Sequence, residues 1–125
     1  DYEQGEANIR RYYVEWQPEA REFIRIHYGW TLGPDWPRLA MIRALHTQLF
    51  YEQPVVYDWP HIQVPTLLLG GAVDGPDFPS LARKAAGTIP GASLMLLEEV
   101  GHNPHLEAPE RFHSELLSFL GQGGA

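Results

Sequence analysis

Two short stretches, Val64-Pro65-Thr66-Leu67-Leu68-Leu69-Gly70-Gly71 and Ala92-Ser93-Leu94-Met95-Leu96-Leu97, constrain this chain more than any other feature. Each is apolar almost without interruption. A strand with one wet face alternates apolar and polar residues, because successive side chains point to opposite faces; a run without alternation suits a strand covered on both faces, as in a parallel sheet flanked by helices. Between the two runs, Ser80 to Ile89 reads as a helix. After them Pro109 opens a last helix, in which Phe112, Leu116, Phe119 and Leu120 share one face, before Gly121-Gln122-Gly123-Gly124-Ala125 frays. The order strand, helix, strand, helix predicts two parallel strands joined by a right-handed crossover. Two doubly covered strands do not make a sheet, since both edges still need partners. The sequence therefore predicts that another polypeptide, or another copy of this one, completes the sheet, and that the isolated chain associates obligately.

The first fifty residues have a different period. From Asn8 to Leu32 the aromatic and aliphatic residues Tyr12, Tyr13, Trp16, Phe23, Ile24, Ile26 and Tyr28 recur at spacings of three and four, which predicts two helices. Pro18 suits the first turn of the second helix, where an N–H is unpaired in any case, and Gly33-Pro34 ends it. Asp35 is placed to cap a third helix with Pro37 near its first turn and with Met41, Ile42, Leu45 and Leu49 on one face; Gln53-Pro54 stops it. Val55 to His61 is a short linker. Residues 1–54 thus read as a helical segment and residues 55–125 as an α/β segment.

Nine Lys and Arg stand against sixteen Asp and Glu, a formal charge of −7, which disfavours nucleic acid and anionic membrane as partners because both need clustered cations. With no cysteine there is no disulfide framework, thiolate nucleophile or zinc–cysteine site, and the compartment cannot be read from cysteine usage. Nothing reads as a signal peptide. The longest apolar runs, Thr66 to Leu69 and Leu94 to Leu97, fall far short of the roughly 20 residues that a spanning helix needs.

In open parallel sheets, sites form at the carboxyl ends of strands. Two loops qualify: Gly71-Ala72-Val73-Asp74-Gly75-Pro76-Asp77 and Glu98-Glu99-Val100-Gly101-His102-Asn103-Pro104. If the strands pair in parallel, Asp74 and His102 become neighbours on one edge. A carboxylate that accepts from one imidazole nitrogen sets the tautomer and stabilises the protonated ring, leaving the other nitrogen as a general base. Asp77 reads as the start of the following helix and His105 as structural. Within the second loop, Glu98 and Glu99 close the strand, Gly101 allows a sharp turn and His102 faces the site. His102, His105 and Glu107 have a spacing reminiscent of metal ligands, but they lack both the helical i, i+4 geometry and a distant further ligand, so no metal is expected. His27, His46, His61 and His113 have no partner suggested by spacing.

These residues carry a resemblance. Val64-Pro65-Thr66 with Gly71-Ala72-Val73-Asp74, then Ile89-Pro90-Gly91-Ala92, Gly101-His102 and Pro109-Glu110-Arg111-Phe112, resemble the carboxyl-terminal end of an α/β-hydrolase-fold enzyme. Phe50 to Tyr57 resembles the return from a helical cap into the core in capped members. The resemblance implies an α/β fold, present as the C-terminal part of an α/β-hydrolase core (55–125, two parallel strands with flanking helices) preceded by a helical cap segment (1–54). It implies catalytic roles for Asp74 and His102, no cofactor, and hydrolysis of an ester or similar small-molecule substrate. The family carries its nucleophile on a G-x-S-x-G elbow ahead of the acid and the histidine. No such motif occurs here, and Ser80, Ser93, Ser114 and Ser118 all fall within or beside expected helices and strands. The nucleophile is accordingly expected outside this chain, in the N-terminal half of the same enzyme or another copy. An Asp nucleophile would instead mean an epoxide hydrolase or dehalogenase; a non-catalytic fragment acting as a binding module is the rival of a different class. Tyr12, Trp16 and Trp30, within an aromatic cluster that includes Tyr13, Phe23, Tyr28 and Trp36, are expected either to line a substrate pocket or to pack the cap.

Overall fold

The structure is a computed structural model and describes residues 1–75 and 77–122. Three helices come first: α1 (Tyr2–Arg10), α2 (Ala20–Thr31) and α3 (Trp36–Glu52). Two single 3₁₀ turns, Val55–Tyr57 and Trp59–His61, lead into β1 (Leu67–Gly71), α4 (Phe78–Thr88), β2 (Ser93–Leu97), a one-turn helix α5 (Pro104–Glu107) and α6 (Pro109–Gln122). Gly121 and Gln122 continue α6, and the rest of the expected fraying tail, 123–125, lies outside the described residues.

The expected parallel pair is present. Leu67 pairs with Ser93 and Gly71 with Leu97, so both strands end at the same level and their following loops start side by side. Helix α4 packs on both strands, and α6 also contacts both. Ala82, Ala85, Ile89, Leu97 and Val100 form the buried centre of this half. Gly70 and Gly71 point to opposite faces, as successive strand residues must. A Cβ on Gly70 would come within 2.5 Å of the Phe78 ring on α4, and one on Gly71 would fall on the carbonyl oxygens of Val100 and Gly101. The double glycine therefore lets a helix close on one face of β1 and the second loop close on the other.

The amino-terminal helices differ from expectation. The first runs from Tyr2 to Arg10, earlier than the aromatic spacing suggests, and opens with the Asp1 carboxylate accepting from the Gln4 N–H at 2.8 Å. Tyr12, Tyr13 and Trp16 are not helical; they lie in the irregular connection to α2. Their spacing therefore does not mark a helix. Pro18 sits ahead of α2, in a turn where the Ala20 N–H donates to the Gln17 carbonyl at 2.9 Å. Helices α1 and α2 meet through Gly5, Ile24 and an edge-on Tyr2–Tyr28 pair, burying Ala20 and Ile24.

Asp35 and Asp77 do stand at helix starts, yet neither side chain makes a capping bond. Both have helical backbone angles, whereas a capping side chain reaches back from an extended residue. Pro37 and Pro79 moreover remove one of the first-turn donors. Along α3 no residue is buried, and Met41, Ile42, Leu45 and Leu49 stand exposed.

Candidate active site

The loop after β1 is tied to the loop after β2 by main-chain bonds. The Ala72 N–H donates to the Leu97 carbonyl at 2.9 Å and the Val73 N–H to the Val100 carbonyl at 3.1 Å. These bonds carry the register of the strands beyond their ends and bring Asp74 against His102. Both carboxylate oxygens of Asp74 lie 2.9 Å from Nδ1 of His102. A carboxylate only accepts, so Nδ1 is the protonated nitrogen of the neutral ring and Nε2 keeps its lone pair. The Asp74 side chain is 13 % exposed and that of His102 49 %. The acid is thus shielded behind the ring, and the ring is open to an incoming group. This is the geometry of a base oriented by a carboxylate.

A second set of bonds fixes the histidine loop. One oxygen of the Glu107 carboxylate accepts from the N–H of Asn103 at 3.0 Å; the other accepts from Gly101 at 3.3 Å and from Val14 at 3.0 Å. The residues on either side of His102 are held by one side chain, which also ties down the connection between α1 and α2. That connection crosses the imidazole. The His102 N–H donates to the Tyr12 carbonyl at 2.9 Å, and the Tyr12 ring lies over the imidazole at 4.7 Å between centroids, tilted by 30°.

Gly101 serves this approach. It does not make the turn: the residue in the left-handed region is Glu99, with φ of 61°. A Cβ on Gly101 would meet the Tyr12 carbonyl oxygen at 2.9 Å and the Glu107 carboxylate at 3.1 Å, so glycine is required for close packing. Glu98 and Glu99 follow β2 as exposed residues, and the Glu98 carbonyl accepts from Arg111 on α6 at 3.0 Å.

A cavity of about 530 Å³ opens beside His102, between α1, α2 and α3. Tyr12 lines it, as do Tyr13 and Phe23; Trp16 and Trp30 do not. Trp16 packs under the Arg10 guanidinium at 4.3 Å and edge-on to Tyr13, and its Nε1 is buried without a partner among the described residues. Trp30 is 60 % exposed, near His27. The spacing of the aromatic residues could not separate these cases, because the division depends on where the irregular connection runs. Burial and the neighbouring negative charge of Glu107 raise the Tyr13 phenol above its ordinary 10.0, so it is a neutral O–H donor at neutral pH.

His105 points to Phe112, 5.9 Å between ring centroids, as a packing residue, and it also reaches the cavity. No three His, Asp or Glu side chains among the described residues gather into a metal-binding set. The four serines lie elsewhere. Ser80 bonds to the Asp77 carbonyl in the first turn of α4, Ser93 starts β2 at the end away from His102, and Ser114 and Ser118 are on α6. No described helix is long and apolar enough to cross a membrane.

Parallel strands with helices against them, and an Asp–His pair at their carboxyl ends, define an α/β protein with a candidate site on the loop edge of the sheet. Residues 3–115 match the alpha/beta hydrolase family, and the chain belongs to that family. A probable hydrolytic enzyme from Pseudomonas aeruginosa PAO1 is similar over 96 % of this chain, at 32 % identity and a TM-score of 0.83. MenH from S. aureus is similar over 54 % of it, at 34 % identity and a TM-score of 0.52. A bacterial membrane phospholipase A shares the fold alone, over the whole chain, at 23 % identity and a TM-score of 0.73. The chain spans 44 %, 25 % and 40 % of the length of these three proteins, respectively. No curated protein matches it significantly.

Glu107 is the part of the candidate site with the weakest signal in the sequence. Its spacing from His102 invites a metal reading, whereas its carboxylate serves three backbone donors. A glutamate five residues after a Gly-His pair, just ahead of a proline-started helix, is the signal that was there.

Proposed function

We propose that this chain supplies the acid and the base of a hydrolase that cleaves a small ester, with the nucleophile on a segment outside the chain. The observation that carries the reading is the Asp74 carboxylate set against Nδ1 of a half-exposed His102. In this mechanism Nε2 of His102 takes the hydroxyl proton of a serine as its oxygen attacks the ester carbonyl, and Asp74 stabilises the imidazolium that forms. The imidazolium then gives that proton to the departing alkoxide, leaving an acyl-enzyme. Water attacks the acyl group with His102 again as base, and the proton returns to the serine as the acid departs.

Residues 1–54 act as a helical cap beside this site, with Tyr12 over the base and the cavity beneath. The exposed apolar side of α3, the exposed Leu117 and Leu120 of α6, and the two unpaired strand edges are the surfaces that the rest of the enzyme covers. This chain spans 44 % of the length of the Pseudomonas aeruginosa hydrolytic enzyme, a proportion compatible with a nucleophile segment outside it.

The test is His102→Ala in the polypeptide that carries the nucleophile segment, assayed with p-nitrophenyl esters and a fluorophosphonate label. The expected result is serine labelling in the parent and loss of about 10³-fold or more in kcat for the variant. Wild-type turnover in His102→Ala would overturn the assignment.

A further inference from the structure

The cavity beside His102 has a charge character opposite to that of the chain. The chain carries a formal −7, yet no Asp or Glu is among the described residues that line this cavity. Asp74 is shielded behind the ring, and the Glu107 carboxylate, close enough to act on Tyr13, is taken up by three backbone N–H donors. Donors dominate instead. Arg43 of α3 lines the cavity, with His27 of α2, His105 of α5, the amides of Asn8 and Asn103, and the Tyr13 phenol.

Arg43 is one of several cations with no carboxylate partner among the described residues, and the one Lys or Arg among them that lines this cavity. Arg10 pairs with Glu6 at 2.7 Å, Arg25 with Glu22 at 2.5 Å, and Arg111 donates to the Glu98 carbonyl at 3.0 Å. A guanidinium is always charged and presents its donors as a planar fork that matches a carboxylate. A neutral imidazole offers one N–H each from His27 and His105. At about 530 Å³ the cavity has room for a small ligand beside His102.

We propose that the substrate is a small carboxylate-bearing ester, held by Arg43 through its free carboxylate while its ester group lies at His102. This rests on the reading of His102 as the base, and deepens it by naming the substrate class. Arg43 is the specificity-determining contact, and the histidines and amides around it complete a donor-rich wall. A neutral ester accepts hydrogen bonds from that wall but brings no negative charge to the guanidinium, and so forgoes the charge-assisted contact.

Two measurements on the complete enzyme test this. In the first, the p-nitrophenyl monoester of succinic acid is compared with p-nitrophenyl butyrate in the parent, Arg43→Gln and Arg43→Lys. A charge-assisted contact of this kind corresponds to roughly 10- to 100-fold in binding. The kcat/KM ratio of acidic to neutral ester is expected to fall at least tenfold in Arg43→Gln and to be partly restored in Arg43→Lys. An unchanged ratio overturns the proposal.

The second measurement does not need catalysis. Imidazole signals of His27, His102 and His105 are followed by NMR during titration with monomethyl succinate and, separately, dimethyl succinate. The monoanion is expected to shift them at concentrations at least tenfold lower, and Arg43→Gln to abolish that difference. Equal titration by the two overturns the proposal. A monoanion preference in a protein where His102→Ala leaves turnover intact would refute the catalytic reading and keep the anion site, so the two failures are told apart.

Discussion

Replacing Glu107 by Ala removes one carboxylate that serves three backbone donors, and its cost can be worked from the structure. The Val14, Gly101 and Asn103 N–H groups donate at 3.0, 3.3 and 3.0 Å. Hydrogen bonds to a charged acceptor contribute roughly 1.5–3 kcal/mol each, but two considerations lower this here. The carboxylate is only half-buried, so water can replace part of what is lost, and the Gly101 bond is long. About 1 kcal/mol per bond, hence about 3 kcal/mol in total, is the expected destabilisation, a large share of the 5–15 kcal/mol typical of a domain. Glu107→Gln keeps one carbonyl oxygen as acceptor but turns an NH₂ toward a backbone donor, so about half of that loss is expected. Chemical denaturation reads the global cost. Amide hydrogen exchange reads the mechanism, since the Val14, Gly101 and Asn103 amides should lose protection while those of β1 and β2 keep most of theirs. Unchanged protection at those three amides in Glu107→Ala would refute the clamp, whatever the global stability.

Three further outcomes follow from the structure. Gly71→Ala should destabilise by about 2 kcal/mol or more in urea denaturation, because its Cβ lands on the Val100 and Gly101 carbonyls and the former is held by the bond from the Val73 N–H; Gly87→Ala on α4, where nothing lies within 4 Å, should instead stabilise by about 0.5–1 kcal/mol. Tyr13 should be among the last phenols to ionise in a spectrophotometric titration, above 10.0, and Tyr13→Phe should remove that late step. Because its folded-state value is raised, the stability linked to it is complete below the unfolded value near 10 and is lost as pH rises through the folded one; a Tyr13 titration at or below 10.0 would contradict this.

How far the chain could be read in advance differed sharply between its halves. The two strands, α4 and α6 were legible because each depends on local pattern: continuous apolar runs, helical periodicity, and prolines and glycines at the ends. Their parallel pairing followed from order alone, and it was enough to bring Asp74 and His102 into one place, since both stand a few residues beyond strands that end level. The one-turn helix α5 left no periodic trace, being too short to have one. In the first half the reading erred where side chains pack against something distant in sequence. Tyr12, Tyr13 and Trp16 have helical spacing but lie in a connection shaped by contacts with His102, Glu107 and Arg10.

The sequence by itself determined the α/β order, the two loops that matter and the residue types in them. Only the tertiary structure decided what holds His102 in place. Glu107 reaches donors at Gly101 and Asn103 nearby and at Val14, 93 positions away, and Tyr12 covers the ring from the far end of the chain. Such contacts leave no period or motif, because backbone N–H and carbonyl groups are common to every residue. Gly101 shows the difference most plainly: its sequence neighbours suggest a turn, yet glycine is needed there because the Tyr12 carbonyl and the Glu107 carboxylate pass too close for any side chain.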